Sequence, residues 1–138
     1  MTENESSSRQ ARGTRNTADI GRLGEDLAAD HLRGLGWTIL TRNWRNRHGE
    51  LDVVAADGSV LVIVEVKTRA SHVFADPAAA VTPRKLARMR SLARMWLSEN
   101  REAWWSRIRF DVVSVQLDST DPFATERAVV RHHRGVFE

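Results

Sequence analysis

The run Val60-Leu61-Val62-Ile63-Val64 constrains the fold of this chain more than any other segment. β-Branched residues favour extended backbone, and a strand sends alternate side chains to opposite faces. Both faces of this strand are apolar, which places it at the centre of a covered sheet. Asp57-Gly58, just before it, is the strongest hairpin signal in the chain. It pairs the run in antiparallel with a strand over 51–55. Leu61, Ile63, Glu65 and Lys67 share one face, so Glu65 and Lys67 project together where the strand, 60–67, leaves the core.

The other elements fit round that strand. Residues 1–16 hold Ser6-Ser7-Ser8, Gly13 and scattered arginines, and read as a flexible N-terminal tail. Thr17 is the expected N-cap of a helix over 18–35, with Ile20, Leu23, Leu27, His31 and Leu35 as its apolar stripe and Gly34 and Gly36 ending it. Glu25 lies at the edge of that stripe, beside Gly21, Ala28 and Leu32. Residues 37–44 alternate as a strand and 45–49 turn the chain. A loop over 68–80 contains Pro77, and Thr82-Pro83 opens a second helix running to Asn100. Leu86, Met89, Ala93, Trp96 and Leu97 face inward on it, Arg84, Arg88 and Arg94 face out, and Lys85 flanks the apolar stripe. Strands over 108–116 and 128–132 complete the order α-β-β-β-α-β-β, a single α/β domain over 17–138 with a mixed central sheet flanked by helices.

At 138 residues, 41% of them hydrophobic, the chain can bury one core. It has no cysteine, which excludes disulfides, thiolate metal sites and a cysteine nucleophile and fits a cytoplasmic location. Met1 to Arg15 is polar, unlike a secretory signal, and no apolar stretch approaches the roughly 18 residues of a membrane span, so no membrane insertion is expected. The net charge is +3, and of 21 basic residues only Lys67 and Lys85 are lysines. Where arginine is the default cation, a lysine marks a place for a compact ammonium on a flexible stem.

Asp52, Glu65 and Lys67 suit metal-assisted phosphodiester cleavage. A phosphodiester repels hydroxide, and its cleavage needs a divalent cation to polarise the phosphoryl group. Mg²⁺ or Mn²⁺ is held by one or two carboxylates with several waters kept. Asp52 and Glu65 on neighbouring strands could supply them, with the carbonyl of Val66 as a third ligand. A symmetric count about Asp57-Gly58 sets Asp52 near Val62 or Ile63, two or three residues from Glu65. Lys67 would orient the attacking water or neutralise developing charge. Glu25 could hold a metal-bound water or a second ion, and Lys85 could contact a phosphate.

The segments Gly21-Arg-Leu-Gly-Glu25, Arg42-Asn-Trp-Arg45, Gly49-Glu-Leu-Asp52, Val64-Glu-Val-Lys-Thr-Arg69, Ala80-Val-Thr-Pro-Arg-Lys85 and Arg109-Phe-Asp-Val-Val113 span residues 18–115 in order. Together they resemble the YraN-type endonuclease-like family of the PD-(D/E)xK nuclease superfamily, to which restriction endonucleases and archaeal Holliday junction resolvases belong. The resemblance implies a restriction-endonuclease-like fold, a metal site at Glu25, Asp52, Glu65 and Lys67, and action on DNA, with branched or flapped forms suggested by the resolvases. Two departures stand out. Leu51 replaces the proline of the superfamily's name, and Ala75 follows Phe74 where the family pattern has glycine.

Plainer readings stand beside these. Glu65 and Lys67 could be a strand-end ion pair, Glu25 a solvated carboxylate, and Lys85 a stem lying along apolar surface. Glu50 suits a salt bridge to Arg45 or Arg47, and Asp111 a structural partnership with Arg69 or Arg109. Trp37, Trp44 and Trp96 suit the core. Trp104-Trp105 suits covering it, with base stacking as the alternative. His132-His133 has no acidic companion at ligand spacing, so no metal is assigned there. Three functions follow: a metal-dependent endonuclease, a nucleic-acid-binding module without turnover, and a metal-stabilised assembly or scaffold protein. Arg84, Arg88, Lys85, Arg45 and Arg69 form the candidate phosphate-tracking set. A homodimer would give two sites for cutting two strands.

Overall fold

A computed structural model describes residues 2–71 and 81–136, with side chains from Thr17 onward. The elements run α1 (Thr2–Gly34), β1 (Thr38–Asn46), β2 (Gly49–Asp57), β3 (Val60–Ala70), α2 (Pro83–Glu99), β4 (Arg107–Leu117) and β5 (Val129–His133), with a 3-10 turn at Thr125–Arg127. This is the α-β-β-β-α-β-β order read from the sequence. The five strands form one sheet in the order β1-β2-β3-β4-β5. β3 and β4 are parallel and every other pair is antiparallel, so the sheet is mixed. A parallel pair needs a crossover, and α2 supplies it.

β3 is the third strand of five, and its two faces feed two cores. Leu61 and Ile63 pack with Leu86, Met89, Leu92 and Trp96 of α2. Val62 and Val64 pack with Ala28 and Leu32 of α1 and with Trp37. The helices therefore cover opposite faces of the sheet. Burying each such aliphatic side chain is worth about 1.5–3 kcal/mol, so a charge placed at 61–64 would break one layer or the other.

α1 runs through Thr17 without interruption from Thr2, so Thr17 is not its N-cap. Its C-terminus is a Schellman motif: Trp37 N–H donates to the Leu32 carbonyl and Gly36 N–H to that of Arg33, with Gly36 at φ +86°. The buried face centres on Gly24, Ala28 and Leu32, about one residue round from the expected stripe, and Leu35 is 41% exposed. The cause is a close approach. A Cβ on Gly24 would overlap the side chain of Thr68 on β3, so α1 touches the sheet along its glycine.

β3 continues to Ala70, three residues into the expected loop, and the rest of that loop over 72–80, with Pro77, Phe74 and Ala75, lies outside the described residues. Thr82 caps α2 as expected, its Oγ1 accepting from the Lys85 amide. Among the described residues, no helix is long and apolar enough to cross a membrane.

Candidate metal and phosphodiester site

The β2–β3 register is Asp57↔Val60 through Val53↔Val64, and the next step sets Asp52 opposite Glu65. The symmetric count had set Asp52 opposite Val62 or Ile63. The turn residues are Gly58 and Ser59, one later than Asp57-Gly58, with Gly58 at φ +58°. Moving a hairpin turn by one residue moves the register by two, which leaves every side chain on its expected face.

Asp52 and Glu65 thus stand side by side. The Asp52 carboxylate accepts the Val66 amide N–H at 2.8 Å. Burial, the Glu65 charge and a hydrogen bond with Glu65 push the Asp52 carboxyl up to about 7, with Glu25 adding and the Val66 N–H opposing. Two carboxylates this close and half-hidden from water are short of positive charge. One cation already serves them: Lys85 Nζ lies 2.5 Å from Glu65 Oε1. The Glu65 side chain is 15% exposed and that of Lys85 39%.

A cleft of about 440 Å³ opens over this pair, lined by Asp52, Glu65, Lys85, Arg88, Arg45 and Met89 among others. Arg45 also pairs with Glu50 at 3.0 Å, one of the two partners expected for that acid. Lys67 shares the face of Glu65 two residues on, where it is exposed, does not line the cleft, and has no ion-pair partner among the described residues. Arg69 and Arg84 are exposed outside the cleft lining. Glu25 is half-buried on α1, beside the Gly24–Thr68 contact, and acts on Asp52 through its charge. The Val66 backbone reaches the site through its N–H, which donates to Asp52.

These side chains suit a hard cation: two adjacent carboxylates, with that of Asp52 pushed up by burial and by Glu65, at the wall of the cleft. Among the described residues, no set of three acidic or histidine side chains gathers at ligand range. A metal here would have Asp52 and Glu65 as its side-chain ligands with water completing its shell, a coordination that Mg²⁺ accepts.

Sequence reasoning missed two features. Asn43 has φ +53° and sits between the pairs Arg42↔Val53 and Trp44↔Leu51, opposite Asp52. Its residue type was the only signal, since asparagine tolerates the left-handed region. The second is the extension of the expected Arg109–Asp111 partnership into a buried polar chain at the far side of the sheet. Arg109 Nε and Nη2 donate to the two oxygens of Asp111 at 2.9 and 3.1 Å. His132 Nε2 lies 2.8 Å from Asp111 Oδ2, and His31 Nε2 lies 3.0 Å from His132 Nδ1. The acidic companion that His132 lacked in sequence is supplied by the fold, 21 residues away. Burial, then His132 and Arg134, lowers the His31 pKa. Trp104 is 78% exposed and does not cover the core, whereas Trp105 packs against it.

The profile of the uncharacterised protein family UPF0102 matches residues 24–115. A UPF0102 protein of Mycolicibacterium vanbaalenii is 52% identical over 105 residues, 76% of this chain and 86% of the relative. One from Frankia casuarinae is 50% identical over 118 residues, 86% of this chain and 95% of the relative. One from Acidothermus cellulolyticus is 51% identical over 105 residues, 70% and 80% of the two chains. The matched span runs from the glycine of α1 that meets Thr68 to Val115 of β4, and takes in Glu25, Asp52, Glu65, Lys67 and Lys85. The chain belongs to the uncharacterised protein family UPF0102, the YraN family, a PD-(D/E)xK nuclease-like group.

Proposed function

We propose that this chain is a Mg²⁺- or Mn²⁺-dependent endonuclease of the cytoplasm that hydrolyses phosphodiester bonds in DNA, with branched or flapped DNA as its substrate form. The observation that carries this reading is the placement of Asp52 opposite Glu65, with Asp52 tied to the Val66 amide. Asp52 and Glu65 would hold the ion, and the Val66 carbonyl would be a further ligand. Bound there, the ion would polarise a phosphoryl oxygen and lower the pKa of a water molecule. Lys67, exposed on the face of Glu65, would meet the charge that develops on the phosphoryl group. Glu25 would order water on the α1 side of Asp52. Arg45 and Arg88 on the cleft wall, with Arg84 and Arg69 outside it, would follow the flanking phosphates. A homodimer would place one such site on each strand of a duplex.

A second reading rests on the Lys85–Glu65 pair, which neutralises one carboxylate without a metal and leaves a cleft rimmed by Arg45 and Arg88. Such a site would bind nucleic acid without cutting it.

The test is cleavage in Mg²⁺ and in Mn²⁺ of linear duplex, single-stranded, flapped and four-way-junction DNA and of RNA. Asp52→Asn and Lys67→Ala run beside the wild type. Cleavage lost in both variants, with the fold intact, is the expected result. Activity equal to the wild type in both contradicts the enzyme reading, and salt-sensitive, metal-independent binding without cleavage supports the second.

A further inference from the structure

Lys85 is the ionic partner that Glu65 has in the described protein, at 2.5 Å. It occupies the third position of α2, after the Thr82 cap and Pro83, in a first turn with no acidic residue. The positive end of a helix dipole disfavours a cation there. Glu65 offsets that disadvantage, so Lys85 depends on an anion for its place. Its side chain is 39% exposed and lines the open cleft, which leaves it room to swing. A four-carbon stem ending in a point charge allows such a swing, whereas a planar guanidinium would be held by its fork. Arg88, one turn further along α2, also lines the cleft.

Resting on the metal-site reading above, we propose that Lys85 is a resident counter-ion of Glu65 that a divalent cation displaces, and that the released ammonium then takes a phosphate of the substrate as its new partner. Both cations would draw on the one Glu65 carboxylate, whose Oε1 the Lys85 ammonium already holds, so metal binding competes with the Lys85–Glu65 pair. The cleft is thus kept close to charge balance before the ion arrives. A cation for the substrate is freed only at a site that has been loaded.

The chain contains just two lysines, which makes the test direct. The full-length protein is labelled with an amine-reactive reagent, with and without saturating Ca²⁺ or Mn²⁺, and Lys85 and Lys67 are read separately by peptide mass spectrometry. Lys85 labelling is expected to rise severalfold with metal, while Lys67 labelling does not rise. In parallel, Lys85→Met is expected to bind Mn²⁺ about tenfold more tightly than the wild type, the lower end of what one charge removed at contact range produces. Metal bound with the Lys85 labelling rate unchanged overturns the proposal whatever the variant's affinity, and leaves the metal site standing. Absence of Mn²⁺ binding in both proteins overturns the metal site and this proposal together.

Discussion

The carboxylate of Asp52 accepts the backbone N–H of Val66 at 2.8 Å, so the acid from β2 is fastened to the residue that separates Glu65 from Lys67. The tripeptide and the distant acid are thus one rigid unit. A sheet ladder fixes their spacing, which a flexible loop would not do.

The first expectation concerns pH at that unit. Asp52 titrates at about 7 in the folded chain, above the ordinary carboxylate value near 4 that it has when unfolded. The folded state therefore holds a proton that the unfolded state has released, and stability falls as pH rises through that window. Without divalent ions, urea unfolding should show stability declining from about pH 4 to about pH 7, with a shallower decline in Asp52→Asn. A divalent cation favours the ionised acid, so Mn²⁺ affinity should climb with pH and level off above about 7. Affinity independent of pH over that range would separate Asp52 from the ion.

Gly24 sets how α1 meets the sheet. Gly24→Ala puts a methyl against the side chain of Thr68, a short branched group with no far end to swing away. Overpacking of this kind costs about 1–3 kcal/mol, and the better helix propensity of alanine recovers no more than about 1. Thermal unfolding should show a net loss. The double variant Gly24→Ala with Thr68→Ala, which removes the overlapping hydroxyl and methyl, should recover part of it. A single variant as stable as wild type would mean that helix and strand do not touch at this glycine.

How far the sequence reached can be judged at particular residues. The run from Val60 to Val64 announced a central strand because its apolar character on both faces is a local property. Thr82-Pro83 announced α2 for the same kind of reason. Glu65 and Lys67 were legible as a pair because strand parity alone sets their face. The Asp52–Glu65 juxtaposition was legible only to within two residues, since it depends on which residue of Asp57-Gly58-Ser59 occupies the turn. The partnership of Lys85 with Glu65 was not legible, because it depends on how α2 lies across the sheet. The Arg109–Asp111 pair was legible, because the two alternate on one strand; its extension to His132 on β5 and His31 on α1 was not, because no spacing rule connects those elements.

That chain supports an expectation of its own. Asp111 is fully buried; burial alone would raise its pKa, but hydrogen bonds from His132, Arg109 and the Gly135 N–H outweigh it and hold the carboxyl below its usual value. A depressed folded pKa means stability that is present above the unfolded value near 4 and is lost as pH falls through the folded one. Acid unfolding should therefore be steeper in the wild type than in Asp111→Asn. At neutral pH that variant should lose up to about 3–5 kcal/mol, because the buried Arg109 loses its close counter-charge and keeps the longer contact to Asp57 at 3.8 Å. A loss below about 1 kcal/mol would place the pair among those whose charges contribute little.

The central claim is that Asp52 and Glu65 form one divalent-cation site. Mn²⁺ titration of the wild type, Asp52→Asn, Glu65→Gln and the double variant tests it most directly. If the two carboxylates grip one ion, each single change should abolish most of the affinity, and the double change should cost little more than either alone. Losses that simply add, or a single variant that binds Mn²⁺ as the wild type does, would contradict a shared site.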